Sequence, residues 1–312
     1  MRTIFVTKPT KITKDPLFSW SLLAVFAFFV IFVIFAERPS ARLGEGRGAP
    51  PTRIISLIPA VSEMLFAMRA GVEVVAVSSF DDYPPQVRNL PRVGALLDPD
   101  LERILALKPD LVIVYESQVD LRRQLERASI PMFVYKHAGL ADVTTTIRQL
   151  GTRIGRDAEA KTLVAGIDNA LTNIRTRVAG RPRPKTMLVF GRDALALRGI
   201  YASGGVGFLH DMLMAAGGEN VFADVAQQSV QATSEIILVR APEVILELRA
   251  GTMSADQRKR EEAVWQVLPS VPAVRSGRVS ILTDERTVVP GPRVAEGTEL
   301  IARMLHPQAF NP

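Results

Sequence analysis

The side chains best placed to do chemistry are two glutamates that occupy the same position in a segment the chain uses twice. Residues 99–114 read PDLERILALKPDLVIV, and residues 232–247 read ATSEIILVRAPEVILE. Laid over each other, Glu102 falls on Glu235, Pro109 on Pro242, Asp110 on Glu243 and Leu111-Val112-Ile113 on Val244-Ile245-Leu246. An acid on a first helical turn is ordinarily a favourable partner for the helix dipole, worth ~0.3–1 kcal/mol. That explains either glutamate alone, but not why both copies place one at the same spot. Carboxylates also do paired acid–base work, which keeps an α/β enzyme open as a reading. The sequence has no G-x-S-x-G, no G-x-x-x-x-G-K-[ST] and no H-E-x-x-H, so no catalytic residue is assigned. Gly204-Gly205-Val206-Gly207 opens a predicted helix and could receive an anion, but it lacks the dinucleotide spacing. His137, His210 and His306 do not have metal-ligand spacing, and no metal site is expected. His137 stands at a predicted cleft edge and is kept as a ligand-contact candidate, a solvated histidine being the alternative.

These residues need a scaffold, and the repeat supplies its unit. A polar residue (Asp98 or Asp100; Thr233 or Ser234) can cap a short helix, with Pro99 tolerated in the first turn. Pro109 or Pro242 then ends that helix, and a short apolar run follows as a buried parallel strand. Around the first copy, strands are predicted at 53–58, 73–77 and 132–135, with helices at 62–68, 121–128 and 141–154. Around the second, strands fall at 186–190 and 279–282, with helices at 206–216, 255–268 and 294–305. A long helix at 157–178 lies between, with Leu163, Ile167, Leu171 and Ile174 on one stripe. The expected fold class is α/β: two similar lobes with parallel sheets, residues 53–156 and 180–312, joined by a connecting helix at 157–179.

The amino terminus is different in kind. Residues 1–16 carry Arg2, Lys8, Lys11 and Lys14, and residues 17–36 (LFSWSLLAVFAFFVIFVIFA) carry no charge. Such a run suffices to span a bilayer core of ~30 Å and is longer than the usual apolar region of a cleaved signal. A transmembrane anchor is expected, with the start in the cytoplasm and everything after residue 36 outside. Residues 37–52 are a Gly/Pro/Arg linker. The formal charge of +6 draws on that basic start, and the remaining surface is near-balanced. No basic cluster with interleaved aromatics occurs, so nucleic acid is not an expected partner. Cysteine is absent, which excludes disulfides, thiolate metal sites and a cysteine-linked lipid.

In open α/β sheets ligands sit beyond the carboxyl ends of the strands. Here those ends read Ser79-Phe80, Tyr115-Glu116-Ser117, Tyr135-Lys136-His137, Gly191-Arg192, Glu247-Leu248-Arg249 and Thr283-Asp284. Tyr83, Tyr115, Tyr135 and Tyr201 all fall in predicted loops or at strand ends. A cleft between two lobes, rimmed by aromatics, suits a sizeable, partly apolar ligand.

Several motifs then occur in order: Pro59-Ala60-x-x-Glu63, Ser78-Ser79-Phe80-x-x-Tyr83-Pro84-Pro85, Arg92-Val93-Gly94 and Leu101-Glu102-x-Ile104. Gly217-Gly218-Glu219-Asn220-Val221-Phe222, Ser234-Glu235 and Pro290-Gly291-Pro292-Arg293 continue the series. From residue 53 to about 306 the chain resembles the periplasmic cobalamin-binding proteins of ABC importers, within the larger class that also carries haem and ferric siderophores. The resemblance implies two Rossmann-like lobes joined by one long helix, with small closure on binding. It implies a tethered extracytoplasmic protein that holds a cobalamin-like corrinoid as transported ligand rather than as cofactor, and passes it to a permease dimer. Glu102 and Glu235 would dock onto permease arginines, a pairing that steers association and weakens with salt. Matching positions put Phe80, Tyr115, Tyr201 and the neighbourhood of Ser229 around the ligand; Tyr83 and His137 are added as ligand contacts from their places in a predicted loop and at a predicted cleft edge. The positions of Leu96 and Ser229 are aromatic in the best-known cobalamin binders, and their replacement leaves room for another corrinoid, haem or an iron chelate. Glu63 reads as a helix-start acid, Trp265 as a residue packing its helix onto the sheet, and Asp284, Glu285 and Arg286 as cleft contacts or a solvated turn.

Overall fold

A computed structural model describes residues 49–136 and 138–310. The basic start, the expected anchor at 17–36, most of the linker and His137 lie outside the described residues. Among the described residues, no helix is long and apolar enough to cross a membrane.

The first lobe is a four-stranded parallel sheet of β1 (Ile54–Ser56), β2 (Val74–Val77), β3 (Leu111–Tyr115) and β4 (Met132–Tyr135), in the order β2-β1-β3-β4. It is interleaved with α1 (Pro59–Ala67), α2 (Leu101–Ala106), α3 (Val119–Arg127) and α4 (Leu140–Arg153). Its strands are short and apolar, as expected where helices cover both faces of a sheet. The connector α5 (Asp157–Val178) follows as 22 residues, ~33 Å at 1.5 Å per residue.

The second lobe holds β5 (Lys185–Gly191), β6 (Ile200–Ser203), α6 (Phe208–Ala215), β7 (Glu219–Asn220), β8 (Ser229–Ala232), α7 (Ser234–Arg240) and β9 (Val244–Arg249). The helices α8 (Ala255–Ala263) and α9 (Pro272–Arg275), then β10 (Val279–Thr283) and α10 (Val294–Leu305), complete it. Its sheet runs β10-β9-β5-β6-β8, with β7 paired to the start of β5. The expectation of parallel sheets fails here: β6 and β8 run antiparallel, so this sheet is mixed. The strand that runs against the others is β6, which is antiparallel to β5 on one side and to the edge strand β8 on the other.

The repeated unit closes the same way in both lobes. Asp100 caps α2, its carboxylate accepting from the Arg103 N–H at 2.9 Å, and the Thr233 hydroxyl caps α7 by accepting from the Ile236 N–H at 3.4 Å. Pro99 therefore precedes the cap rather than sitting in the first turn. Each helix is followed by a left-handed residue, Lys108 at φ 49° and Ala241 at φ 46°, and then by the proline. The next acid ties the unit to the first strand of its lobe. Asp110 accepts from the N–H groups of Thr52 and Arg53, both at 2.8 Å, and Glu243 accepts from the Lys185 N–H at 2.9 Å.

The buried stripe on α5 is Ala160, Val164, Ile167, Leu171, Ile174 and Val178. It sits in one apolar cluster that runs from Ile54 and Leu111 in the first lobe to Leu188, Leu246, Ile301 and Leu305 in the second. Each such large side chain contributes about 1.5–3 kcal/mol on burial. The connector is thus a shared wall of the core rather than a free strut.

Candidate functional site

The carboxyl ends of the strands carry a different side-chain set in each lobe. After β2, the buried carboxylate of Asp81 accepts from the Ser78 N–H at 3.0 Å and from its hydroxyl at 2.5 Å. Burial, opposed by these bonds, pushes the Asp81 carboxyl above its ordinary value. Arg92 donates to the carbonyl oxygens of Ser78 and Asp81 at 2.8 and 2.7 Å. This lock holds the loop that presents Phe80, 73 % exposed, and Tyr83. Tyr115 and Tyr135 end β3 and β4 and meet edge to face at 5.9 Å. Tyr135 is buried, and burial raises its phenol, so it backs Tyr115 rather than facing solvent.

In the second lobe Tyr201 lies within β6, not in a loop, with its ring 6.5 Å from that of Phe190 at the end of β5. Phe190, Val206, Phe208, Leu209 and Val288 line a mainly apolar pocket of about 350 Å³, to which Gln228 and Ser229 add the polar edge. Of the residues assigned to ligand contact, Ser229 lines this pocket and Tyr201 adjoins it through Phe190. Phe80, Tyr83 and Tyr115 belong to the first lobe and do not line it. Phe190 was not anticipated; its place at a strand's carboxyl end was the available signal.

The structure also corrects one reading and extends two. Glu63 is no helix-start acid: it is 4 % exposed and holds Arg293 through a two-pronged ion pair of 2.9 and 2.5 Å. Burial outweighs that pairing and raises the Glu63 carboxyl above its ordinary value. The Arg293 guanidinium carbon lies 3.7 Å from the centre of the Tyr83 ring. Trp265 does more than pack, since its indole N–H donates to buried Glu247 at 2.6 Å. Glu247 also accepts from Arg192 and from Arg249, each at 2.8 Å. Asp284 and Arg286 form an internal clamp at 2.6 Å that extends to Glu296 at 3.1 Å. Its hydrogen bond from Arg286 holds the Asp284 carboxyl below its ordinary value.

The remaining histidines serve the scaffold. The Asn220 amide lies 3.2 Å from His210 Nδ1, and His306 Nε2 is 3.1 Å from the Gly217 carbonyl oxygen. Among the described residues, no group of three or more His, Asp or Glu side chains is placed to hold a metal ion.

Glu102 and Glu235 are both exposed, on the first turns of α2 and α7. Hydrogen bonding with Thr233 holds the Glu235 carboxyl below its ordinary value, so it is an anion at neutral pH. Three residues on, at spacing that shares a helix face, each helix exposes a leucine: Leu105 at 39 % and Leu238 at 43 %.

The described residues form two α/β lobes with aromatics at the carboxyl edges of their sheets and an apolar cluster that spans both. Residues 54–286 match the periplasmic binding protein family. The chain belongs to that family. It is 32% identical over 227 residues to a vitamin B12-binding protein of Salmonella typhimurium, covering 71% of this chain and 80% of that one. It is 29% identical over 265 residues to an uncharacterized ABC transporter substrate-binding lipoprotein of Bacillus subtilis, covering 83% and 82%. A periplasmic heme binding protein from Pseudomonas aeruginosa shares the fold, with a TM-score of 0.72 at 22% identity over 82% of this chain and 93% of that one. As a periplasmic binding protein of the ABC importer class, the molecule belongs outside the cytoplasm, and its partners are a small-molecule ligand and a permease. Membership of a periplasmic binding protein family favours holding a substrate over converting it.

Proposed function

We propose that this periplasmic binding protein captures a corrinoid of the cobalamin type between its lobes and delivers it to the permease dimer of an ABC importer. Residues 17–36 tether it to the inner membrane. The observation that carries the reading is the matched presentation of Glu102 and Glu235 on the two copies of one helix–strand unit. A two-fold permease offers two equivalent surfaces, and paired carboxylates with a leucine beside each suit basic sites with an apolar margin. Phe80, Tyr83 and Tyr115 supply aromatic surface from the first lobe, and Tyr201 and Ser229 contribute from the second. The pocket beside Phe190 is at the small end for ligand sites and is sized to take one edge of a larger molecule.

A haem or ferric-siderophore ligand is the second reading. It is favoured by Leu96 and Ser229, which offer no ring surface, and by the shared fold of the heme binding protein. Titrating the full chain with cyanocobalamin, hemin and a ferric hydroxamate, followed by absorbance, decides between them. Saturable binding of cyanocobalamin is expected; binding of hemin or the hydroxamate alone reverses the ligand assignment. The Glu102→Ala, Glu235→Ala double variant should keep ligand affinity and lose uptake in cells that carry the permease. Undiminished uptake would remove the docking role.

A further inference from the structure

The ion pair between Glu63 and Arg293 joins residues 230 positions apart and crosses from one lobe to the other. Glu63 stands on α1, which follows directly on β1, and Arg293 stands immediately before α10, after the turn that leaves β10. Both therefore belong to the carboxyl-edge loops and helices where a ligand is received. The same guanidinium covers one face of Tyr83, a ring that remains partly open to solvent. A fork that satisfies a buried carboxylate with two parallel bonds has little freedom, and a ring packed on that fork inherits its position. Gly291 is part of the fit: a Cβ there would lie 3.1 Å from Glu63 Oε2, crowding the carboxylate that Arg293 must reach.

We propose that Arg293 is a positioning residue of the cleft: clamped by Glu63, it fixes the spacing of the two lobes and holds Tyr83 with one face backed and the other presented to the ligand. The second half of this rests on the reading of Tyr83 as a ligand contact; the first half does not. Because both ends of the clasp lie in different lobes, the platform on one lobe is set by the position of the other. The cleft is pre-shaped before cargo arrives, which lowers the ordering cost of binding.

The chain has no cysteine, so spin labels can be placed cleanly at Glu126→Cys on α3 and Lys259→Cys on α8, both exposed positions in opposite lobes. The otherwise unaltered full chain should give one narrow distance distribution without ligand. Arg293→Met and Glu63→Gln should each broaden it, Arg293→Lys should broaden it less, and Tyr83→Leu should leave it narrow. Circular dichroism identifies any variant that fails to fold, and Arg293→Lys then carries the distance test. In titrations with cyanocobalamin and hemin, Arg293→Met and Tyr83→Leu should each weaken binding about ten-fold, the size of one partly desolvated cation–π contact, with no further loss on combining them. A narrow distribution retained in both Arg293→Met and Glu63→Gln overturns the clasp. If neither probe binds the parent protein, the ligand reading falls, while the distance measurement still decides the clasp.

Discussion

At the fourth position of the repeated strand the first lobe carries Val114 and the second carries Glu247, and both are buried, at 0% and 1% exposure. The surroundings have opposite character. Val114 packs among Ile55, Leu57, Val112 and Leu121. Glu247 takes hydrogen bonds from Trp265, Arg192 and Arg249. The same backbone unit thus accepts an apolar or an ionic filling, provided the ionic one is fully partnered. What the charge adds in the second lobe is reach. Arg192, wholly buried, continues from Glu247 to Glu261 and to the carbonyl oxygens of Asp193 and Ala196, which fixes the turn after β5 and so the setting of Phe190. The first lobe fixes its rim without involving the sheet interior, through Asp81 and Arg92.

The largest test of this contrast is Glu247→Ala, which takes one of two carboxylates from Arg192 and the acceptor from the Trp265 indole, and should cost about 3–5 kcal/mol. Val114→Ala should cost about 1–3 kcal/mol. Urea unfolding measures both, and equal losses would erase the distinction between the two fillings. A smaller asymmetry is expected where the repeated acids tie each unit to its sheet. Asp110 accepts from the Thr52 N–H, the Thr52 hydroxyl and the Arg53 N–H, whereas Glu243 accepts from one backbone N–H. Asp110→Ala should lose about 1 kcal/mol, a value already reduced for solvent screening, and Glu243→Ala about half of it.

The same site sets a pH dependence. Burial alone would raise the Asp110 carboxyl, but the donors of Thr52 and Arg53 bring it below its ordinary value of 3.8. Its ionised form therefore contributes stability above the unfolded value, and that contribution is lost as pH falls through the lower folded value. Unfolding midpoints followed below about pH 4 should fall less steeply in Asp110→Asn than in the parent. Smallest of all should be Glu102→Ala and Glu235→Ala: each gives up only a first-turn contact with its helix dipole, so each should lower the thermal midpoint slightly, and a shift confined to one of them would break the equivalence of the two units.

The bounds of the connector were legible because Ile167, Leu171 and Ile174 repeat at helical spacing, although Val164 rather than the expected Leu163 continues the buried stripe. The duplicated unit was legible because caps, prolines and apolar runs are local signals. β6 and β8 were missed, since Ile200–Ser203 and Ser229–Ala232 are short, half-polar strands whose pairing is made with each other across the intervening helix α6. The pairing of Glu63 with Arg293 had no local signature either; only the fold brings them together. For the same reason the aromatic residues could be placed at strand ends, but not sorted into those that face a pocket and those, like Tyr135, that support a neighbour.

The last helix has a consequence for how the molecule is made. Val294, Ile301 and Leu305 of α10 belong to the same apolar cluster as Ile54 and Leu111, and Arg293 just before it satisfies Glu63. During synthesis the amino-terminal half emerges with that wall of its interior still missing and one acid without its cation. It must wait, with greasy surface uncovered, until α10 has left the ribosome, and chains cut short of α10 lack that wall of the first half.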